Sequence, residues 1–104
     1  MAYTAQDVSN LLGMPGFSET LLKNHFGLYQ GYVKHTNQIL EADERAIREG
    51  RANTLEHQEL MRHLPFEFDG MRVHEYYFGN LGGNGDPNQA PDLKRLLEAS
   101  FGSY

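Results

Sequence analysis

Residues 17–40 read FSETLLKNHFGLYQGYVKHTNQIL, and this stretch decides the fold that the sequence predicts. Apolar residues recur in it at the spacing of an amphipathic helix, at Leu22, Phe26, Tyr29 and Val33. Ser18 is a good N-cap residue ahead of them. The charged continuation EADERAIREG leads to Gly50, a residue type that commonly follows a helix end. We therefore expect one long helix from about Ser18 to about Gly50.

A second helical pattern follows that helix. Residues 53–56 (NTLE) have the form of a capping box, which begins a helix. Pro65 has no backbone N–H, so we expect a break near residues 63–64 and a further irregularity at Asp69-Gly70. The helical pattern resumes over residues 71–81. Residues 82–91 are expected to form a loop, and Pro91 then starts a last helix through about Ser100.

No clear strand pattern appears beside these helical patterns, so the sequence predicts an all-α fold. Its architecture is a long antiparallel helical hairpin with short flanking helices, in one domain over residues 1–104. Residues 5–12 add a short amphipathic turn or helix ahead of the hairpin. No internal repeat or linker divides the chain.

The composition narrows the classes of function. The chain of 104 residues has a formal net charge of −5, so no basic patch for nucleic acid or an anionic membrane surface is expected. It has no cysteine, which excludes disulfides, thiolate nucleophiles and cysteine-based metal sites. No signal peptide is visible at the N-terminus, and no run of about 18 apolar residues could span a membrane. We expect a cytoplasmic protein.

Each long helix carries one histidine at the head of an aromatic face. On the first helix the face comprises His25, Tyr29 and Tyr32, which follow one another at i, i+4 and i+7. On the second helix it comprises His74, Tyr77 and Phe78, at i, i+3 and i+4. Imidazole is the commonest protein metal ligand, and a dry aromatic shell suits a redox metal. Taken alone, each histidine is more typical of a core residue bonded to a neighbour, and the match between the two patterns favours a shared site. Two ligands are also fewer than the three that a catalytic metal usually has.

Other residues give weaker signals. Gly27 and Gly31 lie inside the first helix and indicate a close approach by another helix or a partner chain. The spacing of Glu59, His63 and Glu67 could bind a metal but is more typical of surface ion pairs. The histidines at positions 35 and 57 have polar neighbours and are expected to be exposed.

Taken in order, these motifs resemble the N-terminal half of an iron/manganese superoxide dismutase. The first helix of that family carries a ligand histidine ahead of a Tyr-Val pair and an asparagine, as HFGLYQGYVKHTN does here. The second carries a ligand histidine in an aromatic stretch before a glycine-rich loop, as VHEYYFGNLGGNGDP does. The last helix ends in SFGS at residues 100–103. The resemblance covers residues 16–104.

The resemblance implies a role for each matching residue. His25 and His74 resemble the two metal ligands of the family's hairpin. Tyr77 and Phe78 resemble the aromatic wall beside the metal, although the family has a larger indole in place of Phe78. Gly70 falls where iron-type members often carry a glutamine and manganese-type members a glycine. The implied cofactor is one iron or manganese ion, with manganese weakly favoured.

Two tyrosines are the implied catalytic residues. Tyr32 resembles the gateway tyrosine that screens the path of the substrate, although its spacing from the ligand histidine is one residue shorter than usual. Tyr29 replaces a second histidine of the family and could share the gateway role.

The remaining family ligands, an aspartate and a histidine, belong to an α/β C-terminal domain that has no counterpart before Tyr104. The resemblance implies conversion of superoxide to dioxygen and hydrogen peroxide, with no normal activity from the 104-residue chain alone. The missing ligands would come from a complementary C-terminal domain or a second polypeptide. Two alternatives remain open. One is a self-associating scaffold in which a dimer groups four histidines around a metal. The other is a helical interaction protein without a metal.

Overall fold

A computed structural model describes residues 2–83 and 86–103. It contains three α-helices: α1 (Glu19–Arg48), α2 (Leu55–Gly79) and α3 (Pro91–Phe101). Short 3-10 turns lie at Ser9–Leu11 and Pro87–Gln89, and no strand occurs in these two ranges. Helices α1 and α2 pack along one another as a hairpin. The predicted all-α hairpin is thereby confirmed, while residues 84 and 85 of the predicted loop lie outside the described residues.

The ends of α1 and the start of α2 follow from local capping. Ser18 Oγ accepts a hydrogen bond from the Leu21 N–H at 3.0 Å, as an N-cap does. Gly50 follows the helix with φ of +70°, a conformation that favours glycine. Thr54 caps α2 by accepting from the His57 N–H at 3.2 Å. The N-cap of α2 is therefore Thr54, whereas the capping-box pattern over residues 53–56 predicted Asn53.

Helix α2 passes through Pro65 and Gly70 without interruption, so the predicted break and irregularity are both wrong. A proline inside a helix removes one hydrogen bond and costs about 3 kcal/mol or more. Packing against α1 offsets this cost, since Met71 and Phe78 of α2 are buried in the core. Tertiary burial commonly decides helix continuity where local propensity disfavours it.

The close approach between the two long helices lies at Gly70 of α2. A Cβ atom built on Gly27 or Gly31 would meet nothing within 4 Å, so the predicted close approach by another helix of this chain is wrong, and the approach by a partner chain stays a prediction. A Cβ on Gly70 would lie 2.5 Å from Tyr32 Cδ1 and closer still to Cε1. The ring of Tyr32 therefore occupies the space that a side chain at position 70 would need.

The N-terminal segment lies across the hairpin and closes one side of its core. Tyr3 N–H donates to Asn37 Oδ1 at 2.7 Å, and Asn37 Nδ2 donates back to the Tyr3 carbonyl at 2.8 Å. Leu11 belongs to the buried cluster that also contains Tyr29, Val33, Met71 and Phe78. This cluster forms the floor beneath the histidine-bearing faces of α1 and α2.

Helix α3 packs mainly against the 3-10 turn that precedes it. Its large apolar side chains, Leu93, Leu96 and Phe101, are exposed. Across the ranges that the structure describes, none of the helices is both long enough and apolar enough to cross a bilayer.

Candidate metal centre

His25 of α1 and His74 of α2 meet across the helix interface. Their ring centroids are 4.8 Å apart and the rings are nearly perpendicular, at 82°. Both residues are half-buried. The two histidines that stand out in the sequence are therefore neighbours in the fold, as a shared metal centre requires.

The proton on His74 is placed by a backbone hydrogen bond. His74 Nδ1 lies 2.6 Å from the Gly70 carbonyl oxygen. A carbonyl oxygen only accepts, so Nδ1 carries a proton here, and in the neutral ring this selects the tautomer whose lone pair is on Nε2. Metal-binding histidines usually donate their other ring nitrogen in this way, which fixes the orientation and tautomer of the ring.

His25 is held towards its neutral form. Burial lowers its pKa, and electrostatic repulsion from His74 lowers it further. Neutral imidazole is the form that binds metals, because protonation occupies the lone pair. The lowered pKa of His25 thus favours the state of its ring that a metal takes up.

An aromatic shell surrounds the pair. The rings of Tyr77 and Phe78 lie 5.1 and 5.2 Å from that of His25, and the ring of Tyr32 lies 5.2 Å from that of His74. Phe78 is buried in the core, while Tyr77 remains 39% exposed. The shell is therefore closed on its inner side by Phe78 and open on the side of Tyr77.

Tyr29 is a core residue beneath this shell. It is 1% exposed, and its ring stacks at 24° and 6.4 Å on that of His74. Its hydroxyl donates to Glu75 Oε2 at 2.8 Å and accepts from the Gln6 N–H at 3.0 Å. Burial is the main cause that raises its pKa. Tyr29 thus supports His74 from below and ties the N-terminal segment to α2.

Tyr32 lies at the edge of the site instead. It is half-buried, and its ring spans the gap between His74, Phe66 and the bare backbone of Gly70. Of the two tyrosines singled out in the sequence, Tyr32 is the one that is partly exposed while its ring contacts that of His74.

A carboxylate that the sequence pattern does not indicate, that of Glu75, lies beneath the site. The Glu75 side chain is only 8% exposed and pairs with Arg72 Nη1 at 2.7 Å. Arg72 in turn lies over the ring of Tyr3, 5.0 Å from its centroid. The spacing of Arg72 and Glu75 indicates a helical pair, but only the packing of Tyr29 shows that this pair faces inwards.

Two other polar residues also depart from expectation. His57 is not exposed: its side chain is 13% exposed, and its Nε2 lies 2.6 Å from Asp43 Oδ1. Glu67 is not a surface residue, since it is buried. In both cases α1 packs against this face of α2, as the contacts with Asp43 and His35 show, and the sequence of α2 alone does not reveal that packing. His35 is exposed as expected.

The pair of imidazoles is not completed within this chain's described part. No group of three histidine or acidic side chains in residues 2–83 and 86–103 is arranged to hold a metal ion. Within these ranges His25 and His74 therefore meet as a pair, without a third such side chain arranged beside them for a metal.

Comparison with known proteins gives the family. The chain is 36% identical over 96 residues to the iron superoxide dismutases of Aquifex aeolicus and Aquifex pyrophilus. It is 30% identical over 97 residues to that of Saccharolobus solfataricus. Each match covers 86% of this chain but 44% of the relative, so the chain spans less than half the length of the curated relatives it matches.

No protein-family model and no solved structure matches the chain. The relatives nevertheless agree with one another, and their match falls on the helical part that carries both histidines. The chain therefore belongs to the iron/manganese superoxide dismutase family, as a relative of its N-terminal helical hairpin.

Proposed function

We propose that this chain is the metal-binding hairpin of a superoxide dismutase, with His25 and His74 as two ligands of the metal. The observation that carries the proposal is the meeting of these two rings from separate helices, 4.8 Å apart inside an aromatic shell. The backbone bond of His74 to Gly70 leaves Nε2 free to bind. Imidazole nitrogens suit first-row transition metals.

A metal bound there would supply one-electron chemistry, oxidising one superoxide to dioxygen and reducing a second to hydrogen peroxide. The protein's own contribution is to exclude water and control access. Phe78 closes the inner wall, and Tyr77 lines the open side next to His25. Such a shell sets the local dielectric and so influences the metal's potential.

Tyr32 is the residue we assign to the entrance. Its half-buried ring lies beside His74, so its hydroxyl can donate a hydrogen bond to a small anion that approaches the pair. Tyr29 has a different role, because its hydroxyl is already held by Gln6 and Glu75. We propose Tyr32 as the gateway residue and Tyr29 as a support for His74.

We propose iron as the metal. The relatives are named as iron superoxide dismutases. The weak preference for manganese rested on Gly70 alone, and this glycine has a separate reason in the fold, since the Tyr32 ring fills the space above it. Gly70 thus carries little information about which metal binds.

The remaining ligands would come from a further segment, as the family resemblance implies, with residues 1–104 forming one helical unit. Exposed apolar residues on the hairpin support a further binding partner, since Leu28, Val73 and Tyr76 are each more than half exposed. Surfaces of this kind commonly mark sites of association. We propose that the 104-residue chain alone lacks normal dismutase activity.

A second candidate is self-association. The same exposed side chains, together with the open side at Tyr77, would allow two copies to face one another in a homodimer. Four imidazoles would then surround one metal. Light scattering separates the candidates, because only the dimer doubles the particle mass when metal is added.

The test is metal content. The wild-type chain and the double variant His25→Ala/His74→Ala are loaded with ferrous iron under anaerobic conditions. We expect the wild type to bind iron more strongly than the double variant. His57→Ala is the matched control, since His57 is also covered and has its own carboxylate partner. Circular dichroism checks that each variant is helical. Equal iron binding by the wild type and the double variant would refute the proposal.

A further inference from the structure

Glu75 is a buried carboxylate that follows His74, one of the two proposed ligands, in the chain. Its side chain is only 8% exposed. Burying an ionised carboxylate is costly unless it is paired and hydrogen-bonded, and Glu75 meets both conditions. Arg72 Nη1 donates to its Oε1 at 2.7 Å, and the Tyr29 hydroxyl donates to its Oε2 at 2.8 Å. The carboxylate therefore links α2 to α1 beside the histidine pair.

The link between Glu75 and the proposed ligands runs through Tyr29 of α1. Successive helical residues point roughly 100° apart, so the side chains of Glu75 and His74 leave α2 in different directions. The ring of Tyr29 lies nearly parallel to that of His74, at 24° and 6.4 Å. The same ring meets Phe78 edge to face at 5.7 Å, and Phe78 lies 5.2 Å from His25. Both proposed ligands are thus packed, directly or through one other ring, on Tyr29.

The hydroxyl of Tyr29 has a fixed direction. It accepts a hydrogen bond from the Gln6 N–H at 3.0 Å, and its single proton is left for Glu75. An ionised carboxylate only accepts, so this proton points to it. Glu75 therefore determines where the far end of the Tyr29 ring lies.

Arg72 holds Glu75 from the other side. Its guanidinium carbon lies 5.0 Å from the centroid of the Tyr3 ring and 5.4 Å from that of Phe68, a cation–π arrangement on two rings. Tyr3 is itself bound to α1 by two hydrogen bonds with Asn37. Groups from α1, α2 and the N-terminal segment thus determine the position of the carboxylate.

We propose that Glu75 is a positioning residue of the metal centre, because through the Tyr29 hydroxyl it fixes the tilt of the His74 ring. The Gly70 carbonyl lies 2.6 Å from His74 Nδ1 and holds one edge of that ring. A single hydrogen bond leaves the tilt of a ring free, and packing against its face determines the tilt. That His74 binds a metal rests on the proposed function, whereas its coupling to Glu75 exists in the metal-free chain.

The first experiment records the NMR signals of the His74 ring in the metal-free 104-residue chain. We expect Glu75→Gln to shift them, because a neutral glutamine loses the ion pair with Arg72. Glu59→Gln is the matched control and should leave them unchanged, since Glu59 also pairs with an arginine three residues away on α2 but is 58% exposed. Should Glu75→Gln fail to fold, Arg72→Lys replaces it and should shift the same signals, because lysine lacks the planar fork of arginine.

A double-mutant cycle tests whether the effect passes through Tyr29. Tyr29→Phe removes the hydroxyl that connects the ring to Glu75. Adding Glu75→Gln to Tyr29→Phe should therefore shift the His74 signals much less than Glu75→Gln does in the wild type. Equal shifts in the two backgrounds would overturn the proposal, as would identical His74 signals in the wild type and Glu75→Gln.

Ferrous iron, added without oxygen, separates the positioning role from the proposed function. We expect Glu75→Gln to bind iron about 10-fold more weakly than the wild type, as when a group behind a metal ligand is lost. If the wild type binds no iron but Glu75→Gln shifts the His74 signals, the positioning role stands and the proposed function fails. If both chains bind iron equally and the His74 signals are unchanged, the positioning role fails and the proposed function stands.

Discussion

The ring of Tyr32 lies against the backbone of Gly70, so closely that one added Cβ atom would come within 2.5 Å of Tyr32 Cδ1. The carbonyl oxygen of the same glycine lies 2.6 Å from His74 Nδ1. The positions of Tyr32, the proposed entrance residue, and of His74, a proposed ligand, therefore depend on the same glycine.

Gly70→Ala should destabilise the protein in spite of alanine's better helix propensity. The gain of about 1 kcal/mol from propensity is outweighed by overpacking, which typically costs about 1–3 kcal/mol. Urea unfolding measures the change. Gly31→Ala is the control, because its Cβ meets nothing within 4 Å, and it should be neutral or stabilising. If the two substitutions have the same effect, the contact with Tyr32 is not tight.

Tyr29→Phe should cost about 1–3 kcal/mol of stability, since it leaves the buried Glu75 without one of its hydrogen bonds. It should also loosen the N-terminal segment, because the Gln6 N–H loses its acceptor. Urea unfolding and amide hydrogen exchange at residue 6 report the two effects. Tyr77→Phe is the comparison, since Tyr77 is partly exposed, and it should change stability by less than Tyr29→Phe.

Thr36→Val should stabilise the chain. Thr36 is completely buried, and its hydroxyl oxygen has no hydrogen-bond partner. An unsatisfied buried polar group costs about 1–3 kcal/mol, and valine keeps a similar shape without it. Thermal unfolding provides the measurement, with the exposed Thr20→Val as control. A lower Tm for Thr36→Val would show that the hydroxyl has a partner in solution.

Stability without metal should decrease as the solution is acidified. The pKa of His25 in the fold lies below the ordinary value of 6.5, first because of burial and second because of His74. The unfolded chain therefore takes up the proton more readily, which favours unfolding. The contribution is fully present above pH 6.5 and is lost as the pH falls through the lower pKa of the folded state.

Urea unfolding of the wild type and His25→Gln at several pH values isolates this effect. The loss of stability between neutral and acidic pH should be smaller in His25→Gln. His63→Ala controls for the removal of a different histidine. If His25→Gln and the wild type lose the same stability between neutral and acidic pH, the pKa of His25 is not lowered in the folded state.

The sequence was sufficient to predict the hairpin and the meeting of His25 with His74. Helical spacing places each histidine on the apolar face of its helix, and apolar faces pack together. The sequence was not sufficient to predict that α2 continues through Pro65, because the local cost of proline is offset by the burial of residues distant in sequence. The same limit explains the glycines, since only the partner helix determines that Gly70 is crowded and Gly31 is not.

The polar core was the least predictable part. Glu67 and Glu75 have the spacing of ordinary helix surface residues, yet both side chains are covered. Their burial depends on the rotation of α2 about its own axis relative to α1. The apolar pattern defines that rotation only roughly, because α2 also exposes large apolar residues such as Phe66 and Val73.

The central claim is that His25 and His74 bind one metal through the lone pairs left by their environment. The most direct measurement is a long-range ¹H–¹⁵N NMR spectrum of the imidazole rings, before and after one equivalent of ferrous iron without oxygen. We predict that the signals of His25 and His74 shift or broaden together, while those of His57 stay in place. Unchanged signals from both His25 and His74 would contradict the account.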